Sequence, residues 1–288
     1  MKENIGELFI CATPIGNLED ITLRAIRILR EVDLIAAEDT RRTRKLLTHF
    51  DIHTALMSYH QHNAVARIPE LITRLKNGDD IAVVSDAGTP GISDPGLGLI
   101  KAAIEQGIPV VPVPGPSAVV TALVVAGFET DTFVFAGFVP RRGREKRQFI
   151  EKVAEEYRTT VLYETPHRLI NTLKMCMTTM PDRPIAVCRE LTKVHEEILR
   201  GTPHLLLEHF EKTPPRGEFV LVISEVPEER GGAKSEVGDE SQDPPIEEAV
   251  MELLAKGYDK KTAIKMVAED RGIPKREVYG AAINIPAL

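Results

Sequence analysis

Five short apolar runs in the first 113 residues, each followed by a stretch with helical spacing, leave this chain few folds to choose from. The runs occupy 7–12, 33–37, 55–58, 81–85 and 108–113, each the length of a strand and too short for a core helix. Between the first two, Asp20 offers an N-cap, and Ile21, Ala25, Ile28, Leu29 and Val32 fall on one helical face. Strands joined by helical crossovers build a parallel sheet covered on both faces. The helical stretch 63–76 contains Pro69, so it is expected to start late or bend there.

Pro114-Gly115-Pro116 breaks the pattern, and an apolar helix is expected over 117–127. A second alternating unit then places strands at 132–137, 160–164, 185–189, 197–200 and 219–224. The last two read as antiparallel or mixed, because their connections are too short or irregular for uniform crossovers. Residues 227–245 are rich in Glu, Asp, Gly, Ser and Pro and nearly devoid of apolar side chains. They bury too little to offset ordering entropy and read as a flexible linker. Beyond them, 246–282 carries three short amphipathic helices with turns at 256–258 and 271–274, a small helix-turn-helix-like appendage. The expected organisation is an α/β domain over 1–115, a second α/β domain over 116–226, the linker over 227–245 and the helical appendage over 246–288.

Charge distribution matters more here than the net value of −7. Residues 225–248 hold nine acids and two bases, which is the whole imbalance. Elsewhere the chain is balanced and has basic clusters: 40–45 holds four positive charges and 141–147 nets +4. A nucleic-acid contact is therefore allowed by the field without being demanded by it. The first four residues lack a basic segment leading into an apolar one, unlike a secretory signal. The longest strongly apolar stretch, 118–128, is far shorter than the roughly 20 residues of a membrane span. Cys11, Cys176 and Cys188 share no metal-ligand spacing and read as reduced, buried thiols in the cytoplasm.

Three loops stand at strand ends, where open α/β sheets bind ligands. Thr13-Pro14-Ile15-Gly16-Asn17 matches neither a Walker loop nor a dinucleotide fingerprint, and alone it is as well explained by a simple turn. The loop 85–96, Ser-Asp-Ala-Gly-Thr-Pro-Gly-Ile-Ser-Asp-Pro-Gly, is more telling. Its glycines let backbone approach a ligand, its prolines fix its path, and twelve residues exceed what a plain connection needs. Pro114 to Ala118 opens a helix whose free N–H groups suit a carboxylate or a ring nitrogen, although an ordinary helix start has the same sequence. His60-Gln61-His62 hints at a metal, but no Cys or acidic partner has ligand spacing, so none is expected.

Together these loops resemble the tetrapyrrole methylase superfamily of S-adenosylmethionine enzymes, and within it the ribosomal RNA small-subunit methyltransferase I family, which makes 2′-O-methylcytidine. The likeness spans nearly the whole chain. It runs through 12–18, Ala37-Glu38-Asp39-Thr40-Arg41, Ser58-Tyr59-His60 with Asn63, 85–96 and 114–118. It continues through Tyr163-Glu164-Thr165-Pro166-His167-Arg168 and Arg189-Glu190-Leu191-Thr192-Lys193 with His195-Glu196-Glu197. Relatives that methylate tetrapyrroles usually carry Gly-Asp-Pro in the second loop. This chain has Ala87-Gly88-Thr89-Pro90 there, which favours the RNA branch.

The resemblance implies two α/β domains holding S-adenosyl-L-methionine in the cleft between them, usually in a homodimer, with 16S ribosomal RNA or the small subunit as partner. It assigns Pro14, Asp86, Ala87, Gly88, Ile92, Ser117 and Ala118 to the cofactor site, with Tyr163, Glu164 and Glu190 as further contacts. Methyl transfer from a sulfonium is an in-line displacement that depends on positioning and a dry cleft, with no metal required. A ribose hydroxyl is a poor acid, so a nearby base is expected to take its proton. Asp39, Asp86, Glu190, Lys193 and His195 are the candidates, and the sequence does not choose among them. Arg41, Arg42 and Arg44, with Arg141 and Arg142, are expected to meet RNA phosphates, although a charge run on a helix also serves as a solvated face. Two rival readings are a methyltransferase acting on a tetrapyrrole or corrinoid and a non-catalytic nucleic-acid-binding regulator built on the C-terminal helices.

Overall fold

The computed structural model describes residues 5–226, 245–256, 258–270 and 273–282. They belong to two compact units that divide after Arg230. The expected linker, apart from Pro245, lies outside the described residues, as do Gly257, Arg271 and Gly272 of the expected turns.

The first unit begins with the five expected strands, each trimmed at its ends: β1 (Leu8–Cys11), β2 (Leu34–Ala37), β3 (Leu56–Ser58), β4 (Ile81–Val84) and β5 (Val110–Val113). They pair in the order β3-β2-β4-β1-β5, every pair parallel. Helices α1 (Leu23–Glu31), α2 (Thr40–His49), α3 (Ala64–Lys76) and α4 (Leu97–Glu105) make the crossovers. One face of the sheet packs Phe9, Ile28, Leu29, Ile35 and Leu47, and the other packs Leu8, Leu34, Leu71, Leu75 and Leu99. Burial on both faces is why these strands are unbroken apolar runs.

Two local expectations are corrected. Thr22, not Asp20, caps α1, its hydroxyl accepting the Ala25 N–H at 3.0 Å, while Asp20 closes a short 3₁₀ turn over Leu18–Asp20. Pro69 does not delay α3, which begins at Ala64 and runs on through it. The carbonyl that Pro69 leaves without a helical donor belongs to Val65, a residue 89% exposed and so open to solvent.

After α5 (Ala118–Ala126), which Gly127 ends at φ +76°, a second sheet follows. Its strands are β6 (Phe133–Phe138), β7 (Thr159–Glu164), β8 (Ile185–Arg189), β9 (Glu197–Gly201) and β10 (Phe219–Ile223), in the order β6-β7-β10-β8-β9. β6 and β7 are parallel; β10 runs antiparallel to β7 and β8, and β9 antiparallel to β8. This is the mixed sheet that the irregular connections implied. Helices α6 (Gly143–Glu155), α7 (Pro166–Thr179) and α8 (Pro203–Lys212) cover one face around Leu162, Leu173, Phe210 and Ile223. The opposite face receives Val119 and Leu123 of α5 together with Ile15, a residue of the first loop. Ile15 and α5 thus bind the two sheets into one unit.

The second unit consists of α9 (Ile246–Ala255), α10 (Lys260–Asp270) and α11 (Lys275–Ala281) around Val250, Leu254, Ile264, Val267 and Val278. Asp259 starts α10, its carboxylate accepting the N–H groups of Lys261 and Thr262 at 3.0 and 3.1 Å. The three expected amphipathic helices are all present.

Candidate active site

The three loops meet at the carboxyl edge of the first sheet. Thr13 and Gly88 exchange two backbone hydrogen bonds of 2.9 and 3.0 Å, and the Thr13 hydroxyl donates to the Ser85 carbonyl at 3.2 Å. These ties hold the first loop against the second. Within the second loop Gly88, Gly91, Ser93 and Gly96 all have positive φ, at +79°, +85°, +61° and +144°. A side chain at Gly96 would come within 3.1 Å of the Gly91 nitrogen, so the loop folds tightly on itself. Ser93 holds a left-handed conformation without the freedom of glycine, as Asp51, Glu190 and Thr192 also do, and strain of that kind clusters at ligand sites.

A cavity of about 410 Å³ opens between the two sheets. Ile15, Glu38, Asp86 to Thr89, Ile92, Asp94, Ser117 and Ala118 form its first wall. Phe138, Tyr163, Cys188, Leu191, Lys193 and Val220 form much of the second. Seven of the residues assigned to a cofactor from sequence therefore line one space: Asp86, Ala87, Gly88, Ile92, Ser117, Ala118 and Tyr163. Glu164 also borders it, but its side chain is 0% exposed and engaged elsewhere, with the Arg168 guanidinium at 2.8 Å and the Thr165 N–H at 2.8 Å. Pro14 faces an adjoining hollow of about 190 Å³, shared with Arg42, Thr43, Lys45 and Asp86. Glu190 stands behind the second wall, where it accepts the Lys193 ammonium at 2.9 Å and the Glu218 N–H at 2.8 Å.

Charge divides the proton-acceptor candidates. Asp39 caps α2 and grips Arg41 through both oxygens, at 3.1 and 2.8 Å. Those hydrogen bonds hold its carboxyl well below the usual range, so it is occupied as a structural anion. Asp86 accepts the Asp39 N–H at 3.0 Å and pairs with Arg42 at 3.2 Å. Burial pulls the Lys193 ammonium down, but the Glu218 and Glu190 carboxylates outweigh it and raise its pKa, so Lys193 serves as a fixed cation. His195 is exposed and stands outside the cavity.

Three lining acids, Glu38, Asp94 and Glu218, escaped the sequence reading. Burial, with Asp86 nearby, pushes the Glu38 carboxyl up. Burial and the neighbouring Glu38 push Asp94 up to about 6. Burial also lifts Tyr163 to about 12 and the Cys188 thiol to about 11, leaving the cavity's phenol and thiol protonated at neutral pH. A signal for Glu38 was present: in Glu38-Asp39-Thr40, Asp is the better helix cap, which frees its neighbour to face the ligand edge.

Glycines close the second wall. A side chain at Gly16 would fall 2.4 Å from Lys193 Cγ and one at Gly217, φ +85°, 2.4 Å from Glu190 Cδ. The Asn17 N–H also donates to the Thr192 hydroxyl at 3.0 Å. The first loop therefore leans directly on the turn that carries Lys193.

Of the expected phosphate contacts, Arg42 lines this cavity. Arg41, Arg44 and Lys45 line a shallow hollow of about 560 Å³ on α2 with Thr40 and Thr48. Arg42 reaches Asp86 from a side chain that remains 67% exposed. Arg141 and Arg142 are exposed at the start of α6, a few residues beyond the cavity residue Phe138. Among the described residues, no helix is long and apolar enough to cross a membrane, and no three His, Cys, Asp or Glu side chains gather to hold a metal ion.

Comparison with known proteins agrees with this architecture. The profile of the tetrapyrrole (corrin/porphyrin) methylases matches residues 7–204. The ribosomal RNA small subunit methyltransferase I of Halalkalibacterium halodurans is 47% identical over 281 residues, 96% of this chain and 95% of its own. The protein of the same name from Synechocystis sp. is 45% identical over 285 residues, 98% and 99% of the two chains. In three dimensions, uroporphyrin-III C-methyltransferase from Thermus thermophilus, complexed with S-adenyl homocysteine, covers 76% of this chain and 97% of its own. Its TM-score is 0.55 at 16% identity, a likeness of fold. With its paired sheets, its loop-built cavity and this match across both, the chain belongs to the tetrapyrrole methylase family.

Proposed function

We propose that this protein transfers a methyl group from S-adenosyl-L-methionine to the 2′-hydroxyl of a cytidine ribose in 16S ribosomal RNA. The carrying observation is the coincidence of near-full-length identity to relatives named as small-subunit rRNA methyltransferases with a cavity suited to the donor. A volume of about 410 Å³ lies within the range of small-molecule sites. Gly88 leaves backbone bare along one wall, where a side chain would stand 3.4 Å from Ile15. Ile15, Leu191 and Val220 supply apolar surface, which excludes water from a transfer in which charge is lost.

When bound, the donor supplies an electrophilic methyl carbon on a sulfonium. The backbone of 86–89 and of Ser117-Ala118 orients it, as small-residue loops can do at close range. Arg41, Arg42 and Arg44 hold RNA phosphates beside the cavity mouth, and Arg141 and Arg142 add a second contact. The residues 1–115 and 116–226 act as the two lobes of the site, 227–245 as a tether and 246–288 as an appendage. The protein works in the cytoplasm as a homodimer on free 16S rRNA or the small subunit.

Mapping ribose methylation in 16S rRNA from cells with and without this gene tests the proposal. Loss of one 2′-O-methylcytidine, restored in vitro by the purified protein and S-adenosyl-L-methionine, is the expected result. An unchanged methylation map, or methylation of a reduced tetrapyrrole instead, would overturn it.

A further inference from the structure

Aromatic side chains of the second wall form a row, and a bulge completes it. Across the parallel pair β6–β7 the Cα partners are Phe135–Val161, Gly137–Leu162 and Phe138–Tyr163, so the register slips by one residue between Phe135 and Gly137. Without that slip Phe133, Phe135 and Gly137 would share one face, and Phe138 would turn to the other, beneath the covering helices. The extra residue reverses its direction. Leu162 packs with those helices, whereas Val161 and Tyr163 belong to the face shared with α5 and the cavity. Phe138, opposite Tyr163, follows them, and Gly137 at φ +72° supplies the left-handed backbone of the bulge. The rings agree: the Tyr163 centroid lies 5.1 Å from that of Phe135 and 5.0 Å from that of Phe138. Phe135 and Tyr163 are half-buried, but Phe138 is 52% exposed. Among the described residues that border the cavity, it is the only exposed aromatic ring.

The ring stands on a fixed support. The Val139 N–H donates to the Tyr163 carbonyl at 3.2 Å, and the Val139 carbonyl accepts the Arg168 guanidinium at 2.8 Å. Val139 itself is buried in the core beneath the sheet. Tyr163 leans on the Phe138 ring at 56°, and half of the residue's surface stays uncovered. Cations flank it. Arg141 and Arg142, both exposed, follow within four residues, and Arg42 lines the same cavity from the first wall. A flat apolar ring set among guanidiniums is the combination that holds a nucleotide, with its base on the ring and its phosphates on the cations.

We propose that Phe138 seats the base of the acceptor nucleotide, a pyrimidine taken out of its RNA stack and laid on the ring. The inference rests on the methyltransferase reading above and adds to it the residue that receives the acceptor. The 2′-hydroxyl and the base hang on adjacent ribose carbons, so a hydroxyl brought to the donor in the cavity brings its base to the cavity wall. A space of about 410 Å³ admits a single nucleotide and excludes a paired stem. The nucleotide therefore leaves its neighbours and loses their stacking, a cost that an aromatic side chain offsets by stacking in their place. Every base has a π face, so this contact gives affinity and position and leaves the choice of base to polar groups.

The test uses the full-length protein, its Phe138→Ala, Phe138→Leu and Phe138→Tyr variants, S-adenosyl-L-methionine and small-subunit rRNA. With the RNA as varied substrate, kcat/KM should fall about 5- to 150-fold in Phe138→Ala, the loss of one stacked base. Phe138→Leu, apolar but without a π face, should fall nearly as far, and Phe138→Tyr should keep most of the wild-type value. Calorimetric affinity for S-adenosyl-L-methionine should match wild type in all three, as should thermal unfolding, because the ring is exposed. In a second arm the RNA is transcribed with 5-iodocytidine, whose excitation by ultraviolet light joins it to a stacked aromatic ring with loss of hydrogen iodide. Mass spectrometry should find Phe138 joined to the nucleotide that the protein methylates. If wild type methylates the RNA and Phe138→Ala or Phe138→Leu keeps its kcat/KM, the stacking is overturned. Weakened donor binding, or a cross-link from Phe138 to a different nucleotide only, overturns it as well. If wild type itself fails on the RNA, the functional reading falls, and the seat for the base with it.

Discussion

The two walls of the cavity use the same chemical group for opposite ends. On the first wall, among the described residues, Asp86 pairs with the Arg42 guanidinium while Glu38 and Asp94 have no ion pair, and burial pushes those two toward their protonated forms. On the second wall each carboxylate inside the fold has a cation beside it, although Glu190 shares Lys193 with the exposed Glu218. Glu164 has Arg168 at 2.8 Å and Lys146 at 3.8 Å, while Glu190 has Lys193 at 2.9 Å. A carboxylate supplied with cations is a permanent anion that locks structure. One left short of them can bind and release protons. The distribution of Arg and Lys, more than that of the acids, separates the holding wall from the titrating one.

The sharpest way to break this contrast is at Glu164. Its side chain is 0% exposed and that of Lys146 only 6%, so removing the carboxylate strands two buried or nearly buried cations. Glu164→Ala should lower unfolding free energy by about 3–5 kcal/mol in urea. A loss below about 1 kcal/mol would mean that the network is not what holds the wall. Next comes Gly217→Ala. Alanine at φ +85° costs roughly 1–2 kcal/mol, and its Cβ would displace Glu190 from Lys193. Thermal unfolding should register about 2–3 kcal/mol in total, the strain plus a charge-assisted hydrogen bond, and wild-type stability would show that the cradle has slack.

Arg42 links the contrast to the substrate. Arg41→Ala with Arg42→Ala should weaken RNA binding roughly tenfold, about 1.4 kcal/mol, and flatten its salt dependence by about one unit per lost phosphate contact. Affinity for S-adenosyl-L-methionine should hardly move. Loss of the Arg42 guanidinium should also push the Glu38 titration higher, since Arg42 lowers it. RNA affinity and salt slope that match wild type would remove α2 from the interface.

Most of the frame was legible because it rests on periodicity. All ten strands fall where apolar runs put them, and the helices between the first five strands, α5 and the three C-terminal helices fall where helical spacing did, while α6, α7 and α8 were not placed. The errors are local. Asp20 and Thr22 are both good caps, and only the geometry of the turn chose Thr22. The site was legible where loops carry glycine and proline, at 86–92 and 117–118, because those residues advertise close backbone approach. It was illegible where function depends on which side chains meet. Asp39 and Glu38 are adjacent, yet the cap interaction turns one away and leaves the other to the cavity. Glu164 stands at a strand end like a ligand contact, but Lys146, Arg168 and Thr172 converge on it from two helices. Arg168 and Thr172, four and eight residues on, were the available hint.

The smallest effect discriminates between the walls most cleanly, because its sign reverses from one to the other. Asp94 prefers its protonated form in the fold, at about 6 against roughly 3.9 in an unfolded chain. Between those values the native protein binds more protons than the unfolded one, so this group makes stability decline as pH rises from about 4 to 6. Asp94→Asn carries no such penalty. It should be more stable than wild type at pH 7 by about 1 kcal/mol, after discounting for partial solvent exposure, and the advantage should fade as pH falls toward 4. Glu190 behaves oppositely: burial raises its pKa, but Lys193 and the Glu218 N–H outweigh that and lower it. Its contribution is complete above the unfolded value and is lost as pH falls through the folded one, so Glu190→Gln should cost stability at pH 7 and less in acid. Urea unfolding of both variants from about pH 2.5 to 7, which spans the acid side of an ordinary glutamate at about 4.3, measures the two slopes side by side. Slopes of the same sign would show that the walls do not divide their carboxylates between titration and support.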